Sequence, residues 1–137
     1  MNGMAGNKKI LIVDDQEINR IILKNILVRE SFEILEAGDG VLYLALEQLA
    51  VHGEAIALLL LDIVMSPVDG YEVMKKMASE GLIGKIPVVV ITADETQECQ
   101  NRVCVMGAAK FIHKPFSPAE VRAIVDGILR DGADDGL

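Results

Sequence analysis

Five polar side chains close apolar runs. Asp14 and Asp15 follow Ile10-Leu11-Ile12-Val13, Asp62 follows Leu58-Leu59-Leu60-Leu61, Thr92 follows Val88-Val89-Val90-Ile91, and Lys114 follows Phe111-Ile112-His113. Carboxylates brought together repel and raise one another's pKa, and a divalent cation relieves that repulsion. An all-oxygen set of carboxylates and water suits Mg²⁺, which commonly takes one or two acids together with phosphate oxygens. A lysine supplies a mobile point charge for a phosphoryl group, and a threonine supplies a hydroxyl donor. Acid, metal, hydroxyl and lysine together describe a site where a carboxylate accepts a phosphoryl group. Singly, each has an ordinary reading: Asp14-Asp15 as a helix cap, Thr92 as a strand-end cap, Lys114 as a solvated cation, Asp62 as a loop acid. The signal is that all five stand at apolar-run ends in one order along the chain.

Periodicity supplies the scaffold around these residues. Short apolar runs closed by turn signals read as strands buried on both faces. They fall at Lys8 to Val13, Leu58 to Leu61 and Pro87 to Thr92, with shorter strands at Glu33 to Ala37 and Lys110 to Lys114. Between them, Ile18, Ile21, Ile22 and Ile26 are spaced as the inner face of a helix, with Arg20, Lys24 and Arg29 on the rest of it. Leu42, Ala45, Leu46 and Leu49 form a second stripe, and Val73, Met74 and Met77 a third. Asp69 with Glu72, and Asp94 with Gln97, are expected to open helices, and Gly107 to close one. Ser117-Pro118-Ala119-Glu120 is a strong helix start, followed by Val121, Ile124, Val125, Ile128 and Leu129 as its apolar face. Five strands alternating with five helices predict an α/β fold with a five-stranded parallel sheet and helices on both faces. Ligands in such sheets bind at the carboxyl edge, where all five polar residues are expected.

Composition bounds the rest. The chain has 137 residues, enough for one domain. Residues 1–7 read as disordered, 8–130 as the domain, and 131–137 as a tail or the start of a linker. Lys and Arg total 13 against 21 Asp and Glu, a formal charge of −8, which argues against direct binding of nucleic acid. No apolar run approaches the ~18 residues of a membrane span, and the start lacks a signal-peptide core, so a cytoplasmic chain without a membrane partner is expected. Cys99 and Cys104 are five apart on a helix and cannot easily pair; Cys99 shares a face with Val103 and Met106 and reads as core. With only His52 and His113, there is no zinc pattern.

The stretches Ile12-Val13-Asp14-Asp15, Leu60-Leu61-Asp62-Ile63-Val64-Met65, Asp69-Gly70, Val90-Ile91-Thr92-Ala93 and Gly107-Ala108-Ala109-Lys110-Phe111-Ile112-His113-Lys114-Pro115-Phe116 resemble the receiver domain of bacterial two-component response regulators. The resemblance spans about residues 8 to 130. It implies the flavodoxin-like strand order 2-1-3-4-5. It implies that Asp62 is the phosphoacceptor, and that Asp14, Asp15, Asp62 and the backbone carbonyl of Val64 bind Mg²⁺. It further implies that Thr92 and Lys114 contact the phosphoryl group, that small Ala93 leaves room for it, that Phe111 is the switch aromatic, and that the Lys114-Pro115 bond is cis. Where the family carries a proline at the position of Ser66, this chain has Pro67 one residue later, which leaves Asp62 and Val64 in place.

A switch of this kind takes its phosphoryl group from a histidine kinase or histidine phosphotransfer protein. It catalyses only its own phosphorylation and dephosphorylation. Its output passes through the face made by the helix near 95–107, the strand near 110–114 and the helix near 117–130, to an output domain, a target protein or a second copy of itself. Three other classes fit less well. A Mg²⁺-dependent phosphohydrolase of the haloacid dehalogenase type wants Asp-x-Asp at the first strand end, and Asp14-Asp15-Gln16 does not supply it. A nucleotide-binding module wants a G-x-G-x-x-G or a P-loop, and neither is present. A degenerate receiver acting only as an interaction domain has no need of all five site residues.

Overall fold

The computed structural model describes residues 8–28, 32–38, 56–64 and 70–134. In chain order these form β1 (Lys8–Val13), α1 (Glu17–Leu27), β2 (Phe32–Ala37), β3 (Ile56–Leu61), α2 (Gly70–Ser79), β4 (Val88–Thr92), α3 (Gln97–Val105), β5 (Lys110–His113) and α4 (Pro118–Asp134). The sheet order is β2-β1-β3-β4-β5 and every pairing is parallel. The expected helix carrying Leu42 to Leu49, the loop around His52, the Asp69 helix start, and the Ser66-Pro67 departure lie outside the described residues.

Alternation along the strands divides the core in two. Leu11, Val13, Leu59, Leu61, Val88 and Val90 face one way and pack with Val73, Met74 and Met77 of α2 and Cys99 and Val103 of α3. Ile10, Ile12, Leu58, Leu60, Val89, Ile91 and Ile112 face the other way, against Leu23, Ile26 and Leu27 of α1 and Val121 and Val125 of α4. The four leucines of β3 are thus used on both faces, which is why that run does not alternate with polar residues. Fully burying each such side chain contributes about 1.5–3 kcal/mol. The central strand is therefore a stiff base for Asp62 at its end.

Two helices depart from the sequence expectation. In α1 Ile26 of the expected stripe is buried, together with Leu23 and Leu27, but Ile18, Ile21 and Ile22 are exposed, with Ile18 at 60%. Both sides of this helix are apolar, so periodicity alone does not choose between them. The stripe that wins continues backward through half-buried Asn19 and Arg20, and Arg20 finds polar partners beneath the helix. At α3 the cap is Thr96, whose side chain accepts the Cys99 N–H, rather than Asp94. Asp94 instead accepts from both the Thr96 N–H at 2.9 Å and the Thr96 hydroxyl at 2.7 Å. Elsewhere the signals hold: Ser117 accepts the Glu120 N–H at 3.0 Å, and the chain leaves α3 through Gly107 at a φ of 105°. Helix α4 runs on to Asp134, past Arg130.

Candidate functional site

Register builds the site. Val13 pairs with both Ala37 and Leu61. One residue beyond, the ladder continues: Asp14 N–H donates to the Ala37 carbonyl at 3.1 Å, and Asp62 N–H to the Val13 carbonyl at 2.9 Å. On the other side, Lys114 N–H donates to the Thr92 carbonyl at 2.8 Å. Extended ladder bonds therefore carry Asp14, Asp62 and Lys114 just past the carboxyl ends of their strands, onto the same edge.

The side chains meet there. Lys114 Nζ lies 2.8 Å from Asp14 Oδ2 and 2.9 Å from Asp62 Oδ2. The other oxygens are held by backbone donors: Asp14 Oδ1 accepts from Gln16 N–H at 2.9 Å, and Asp62 Oδ1 from Val64 N–H at 3.0 Å. Asp14 is 2% exposed and Asp62 5%. Oxygen atoms of Asp14, Asp15 and Asp62 all lie within 4.8 Å of one another, a group that could hold a metal ion. The donors fit a hard cation: all are carboxylate oxygens, and two of the acids are buried where their mutual repulsion is poorly screened.

Burial pushes the Asp62 carboxyl above its ordinary value, and the charge of Asp14 adds to this; the hydrogen bond and charge of Lys114 offset it only in part. Burial works to lower the Lys114 pKa, but its bonds to the two acids outweigh that and raise it. Lys114 therefore stays an ammonium ion, shared between two carboxylates, while Asp62 is the less comfortable anion.

Thr92 is fully buried at the end of β4. Its Oγ1 accepts the Asp94 N–H at 3.3 Å, so the hydroxyl proton is not committed by that bond. Ala93 beside it is exposed. The Lys114-Pro115 peptide is cis. Phe111 is half-buried against the α2–α3 side of the core and stands edge-on to His113, with ring centroids 4.9 Å apart. The structure thus brings Asp14, Asp15, Asp62 and Lys114 into one cluster, and places Thr92 at the same sheet edge; Phe111 lies on the neighbouring strand β5, packed against the α2–α3 side of the core.

In the sequence pattern Gly70 is only part of a loop. A Cβ there would fall 2.5 Å from the Asp62 carbonyl oxygen and 2.8 Å from Ile63 Cα. Its N–H donates to the Ile63 carbonyl at 2.9 Å. The first residue of α2 is therefore pressed against the backbone that carries Asp62, and only glycine fits. The Asp69-Gly70 pair marks the position but not this reason. Arg20, a surface cation by its spacing, is also turned inward: its side chain is 16% exposed.

Comparison with known proteins agrees with this geometry. Residues 10–126 match the model of the response regulator receiver domain. The chain is 36% identical over 124 residues to the alkaline phosphatase synthesis transcriptional regulatory protein PhoP of Bacillus subtilis, covering 90% of this chain and 49% of that protein. It is 29% identical over 126 residues to the two-component response regulator ORR5 of Oryza sativa, covering 92% of each. The chain spans about half the length of several curated relatives it matches. Among solved structures, a CheY-like response regulator receiver domain protein from Methanospirillum hungatei superposes with a TM-score of 0.79 at 25% identity, over 93% of this chain and 98% of that one. A Francisella response regulator receiver domain, at 21% identity and a TM-score of 0.78 over 92% and 99% of the two chains, shares the fold. With the fold, the acid cluster and the family match in agreement, this chain belongs to the response regulator receiver domain family of two-component systems.

Proposed function

We propose that Asp62 is the phosphoacceptor of a phosphorylation-dependent switch. The observation that carries this is the placement of Asp62: a buried carboxylate at the end of the central strand, sharing Lys114 with Asp14 and lying within 4.8 Å of Asp14 and Asp15 oxygens. The donor is a phosphohistidine on a histidine kinase or phosphotransfer protein. An Asp62 oxygen attacks phosphorus, the P–N bond breaks, and the imidazole leaves with its electron pair. Asp62 needs no proton removed, because it reacts as the carboxylate. Its orientation is set by the Val64 N–H on Oδ1 and by Lys114 on Oδ2. Lys114 then follows the developing charge on the phosphoryl oxygens, and Thr92 offers its hydroxyl proton to one of them. Asp14, Asp15, Asp62 and the Val64 carbonyl would hold Mg²⁺, which when bound offsets the charge gathered by the acids and the phosphoryl oxygens. Hydrolysis by water returns Asp62 to the carboxylate, and the chain acts on no other substrate.

Relatives named as transcriptional regulators are about twice as long as this chain's match to them. With a formal charge of −8, these 137 residues are poorly suited to gripping DNA phosphates. We therefore assign them the switch, with output through the face of α3, β5 and α4 to a further domain or a separate target. No described helix is long and apolar enough to cross a membrane.

Acetyl phosphate with Mg²⁺ tests the assignment. Intact-mass measurement should show one added phosphoryl group on the wild type and none on Asp62→Asn. Stoichiometric uptake by Asp62→Asn under the same conditions would show that the acceptor lies elsewhere.

A further inference from the structure

We infer that Arg20 is a positioning residue for the Asp14-Asp15 pair, acting through the Asp14 carbonyl; the inference rests on reading Asp14, Asp15 and Asp62 as a Mg²⁺ site.

Arg20 lies in the first turns of α1, three residues before Leu23 and seven before Leu27, on the buried stripe. Its Nη1 donates to the Asp14 carbonyl oxygen at 2.7 Å, and its Nε to Glu36 Oε1 at 3.2 Å. The peptide whose oxygen Arg20 grips is the one joining Asp14 to Asp15. That peptide is planar, so fixing its carbonyl fixes the direction of the Asp15 N–H and Cα. On its other side Asp14 is held by its own N–H on the Ala37 carbonyl at 3.1 Å. The acid pair is thus clamped at two consecutive peptide groups, one by the end of β2 and one by Arg20.

Two further observations show a built arrangement rather than a chance surface contact. Glu36 also takes Lys24, at 3.5 Å, so its single negative charge is shared between two cations. The group keeps one net positive charge, whose removal would by itself favour a cation nearby, so weaker Mg²⁺ binding on loss of Arg20 reports geometry rather than charge. At the end of β2 the chain makes room for the guanidinium: a Cβ on Gly38 would lie 2.6 Å from Nη1 and 2.9 Å from Cζ of Arg20. The planar fork can serve Asp14 and Glu36 together from one side chain, whereas a lysine offers a single point of attachment. Partners behind the ligating groups typically change metal affinity by about 10–100-fold when removed.

A staple between α1 and β2 with no bearing on the site would alter stability and leave metal affinity alone. The test separates the two. Mg²⁺ is titrated into the unphosphorylated chain, with amide chemical shifts giving Kd, and thermal unfolding of each variant without Mg²⁺ serves as the control. Arg20→Ala should weaken Mg²⁺ binding about tenfold, with Arg20→Lys recovering part of the loss. Gly38→Ala keeps the arginine but displaces it, and should weaken binding in the same direction. Mg²⁺ affinity within twofold of wild type in folded Arg20→Ala overturns the inference; should that variant not fold, the same result in Gly38→Ala overturns it. Absence of saturable Mg²⁺ binding by the wild type would instead defeat the reading of the acid cluster, and the inference with it.

Discussion

Replacing Lys114 with methionine keeps the length and apolar stem of the side chain and removes its charge. In the wild type the ammonium lies 2.8 Å from an Asp14 oxygen and 2.9 Å from an Asp62 oxygen. At an effective dielectric near 20, each contact is a gross attraction of about 6 kcal/mol, most of it offset by desolvation of the three groups. What the variant loses is the compensation of two buried carboxylates, and removal of one partner from a buried ion pair costs about 3–5 kcal/mol. Protonation caps that loss. Burial already raises the Asp62 pKa, and the lysine that partly offsets the rise is gone. The folded variant therefore holds a proton at pH values where the unfolded chain, with the ordinary value of 3.8, has released it. Stability then falls as pH rises through the window between the unfolded and the raised folded pKa, and levels off above it. We expect urea unfolding of Lys114→Met at pH 8 without Mg²⁺ to show a loss of about 3 kcal/mol, shrinking as pH falls toward the ordinary carboxyl value of 3.8 and small near it. Mg²⁺ should stabilise the variant more than the wild type, because binding to the folded state adds RT ln(1 + [L]/Kd) and the cation meets no competing ammonium. A loss under about 1 kcal/mol at pH 8, a loss just as large near pH 4, or equal stabilisation of both proteins by Mg²⁺ would refute this account of the site's electrostatics.

Asp62→Asn removes a buried anion whose pKa is raised, so the sign is opposite. Without Mg²⁺ at pH 8 its Tm should exceed that of the wild type by about 3–5 °C, equivalent to roughly 1 kcal/mol for a domain of this size, and the gap should close as pH falls toward 3.8; equal Tm values at pH 8 would contradict it. Thr96→Ala removes the N-cap of α3 and should cost about 1 kcal/mol in urea unfolding; a change within about 0.3 kcal/mol would mean that the Cys99 N–H finds another acceptor.

The sheet and its edge were legible because they depend on short-range pattern. A buried parallel strand must be apolar on both faces, so Leu58 to Leu61 and Val88 to Ile91 announce themselves, and a charge or hydroxyl just after such a run has to sit at the edge. Helix faces are less legible where both sides are apolar. In α1 the choice between Ile18, Ile21 and Ile22 and the stripe of Leu23, Ile26 and Leu27 is made by tertiary packing and by the polar partners awaiting Arg20. The same limit hid Arg20 itself: a cation in a helix reads as solvated unless the acceptor beneath it is known, and here that acceptor is a backbone carbonyl, which carries no signature in sequence. Gly70 and Gly38 were hidden for a related reason, since what an added Cβ would meet there, the backbone of Asp62 and Ile63 or the guanidinium of Arg20, is not adjacent in sequence. At the start of α3 the error was local. Asp94 and Thr96 are both good capping residues, and the one nearer the helix caps it while the other braces the cap.

That brace ties the proposed chemistry to a helix. Thr92 Oγ1 accepts a long bond, 3.3 Å, from the Asp94 N–H; Asp94 holds Thr96 twice; and Thr96 caps α3 through the Cys99 N–H at 3.1 Å. A neutral bond of this length contributes at the low end of about 0.5–1.5 kcal/mol, whereas a hydroxyl donating to a charged phosphoryl oxygen gains about 1.5–3 kcal/mol. In the proposed aspartyl phosphate the Thr92 hydroxyl proton, which the Asp94 contact leaves uncommitted, would be drawn to a phosphoryl oxygen, and turning the side chain that way would stretch the already long Asp94 contact. Helix α3 has nine residues, too few to be stable on its own, and it is anchored in the core through Cys99 and Val103. A change of about 1 kcal/mol at its cap is then comparable to the gap between two arrangements of the helix. If Asp62 is the phosphoacceptor proposed above, these contacts would carry the effect of the phosphoryl group from Thr92 to the cap of a short helix.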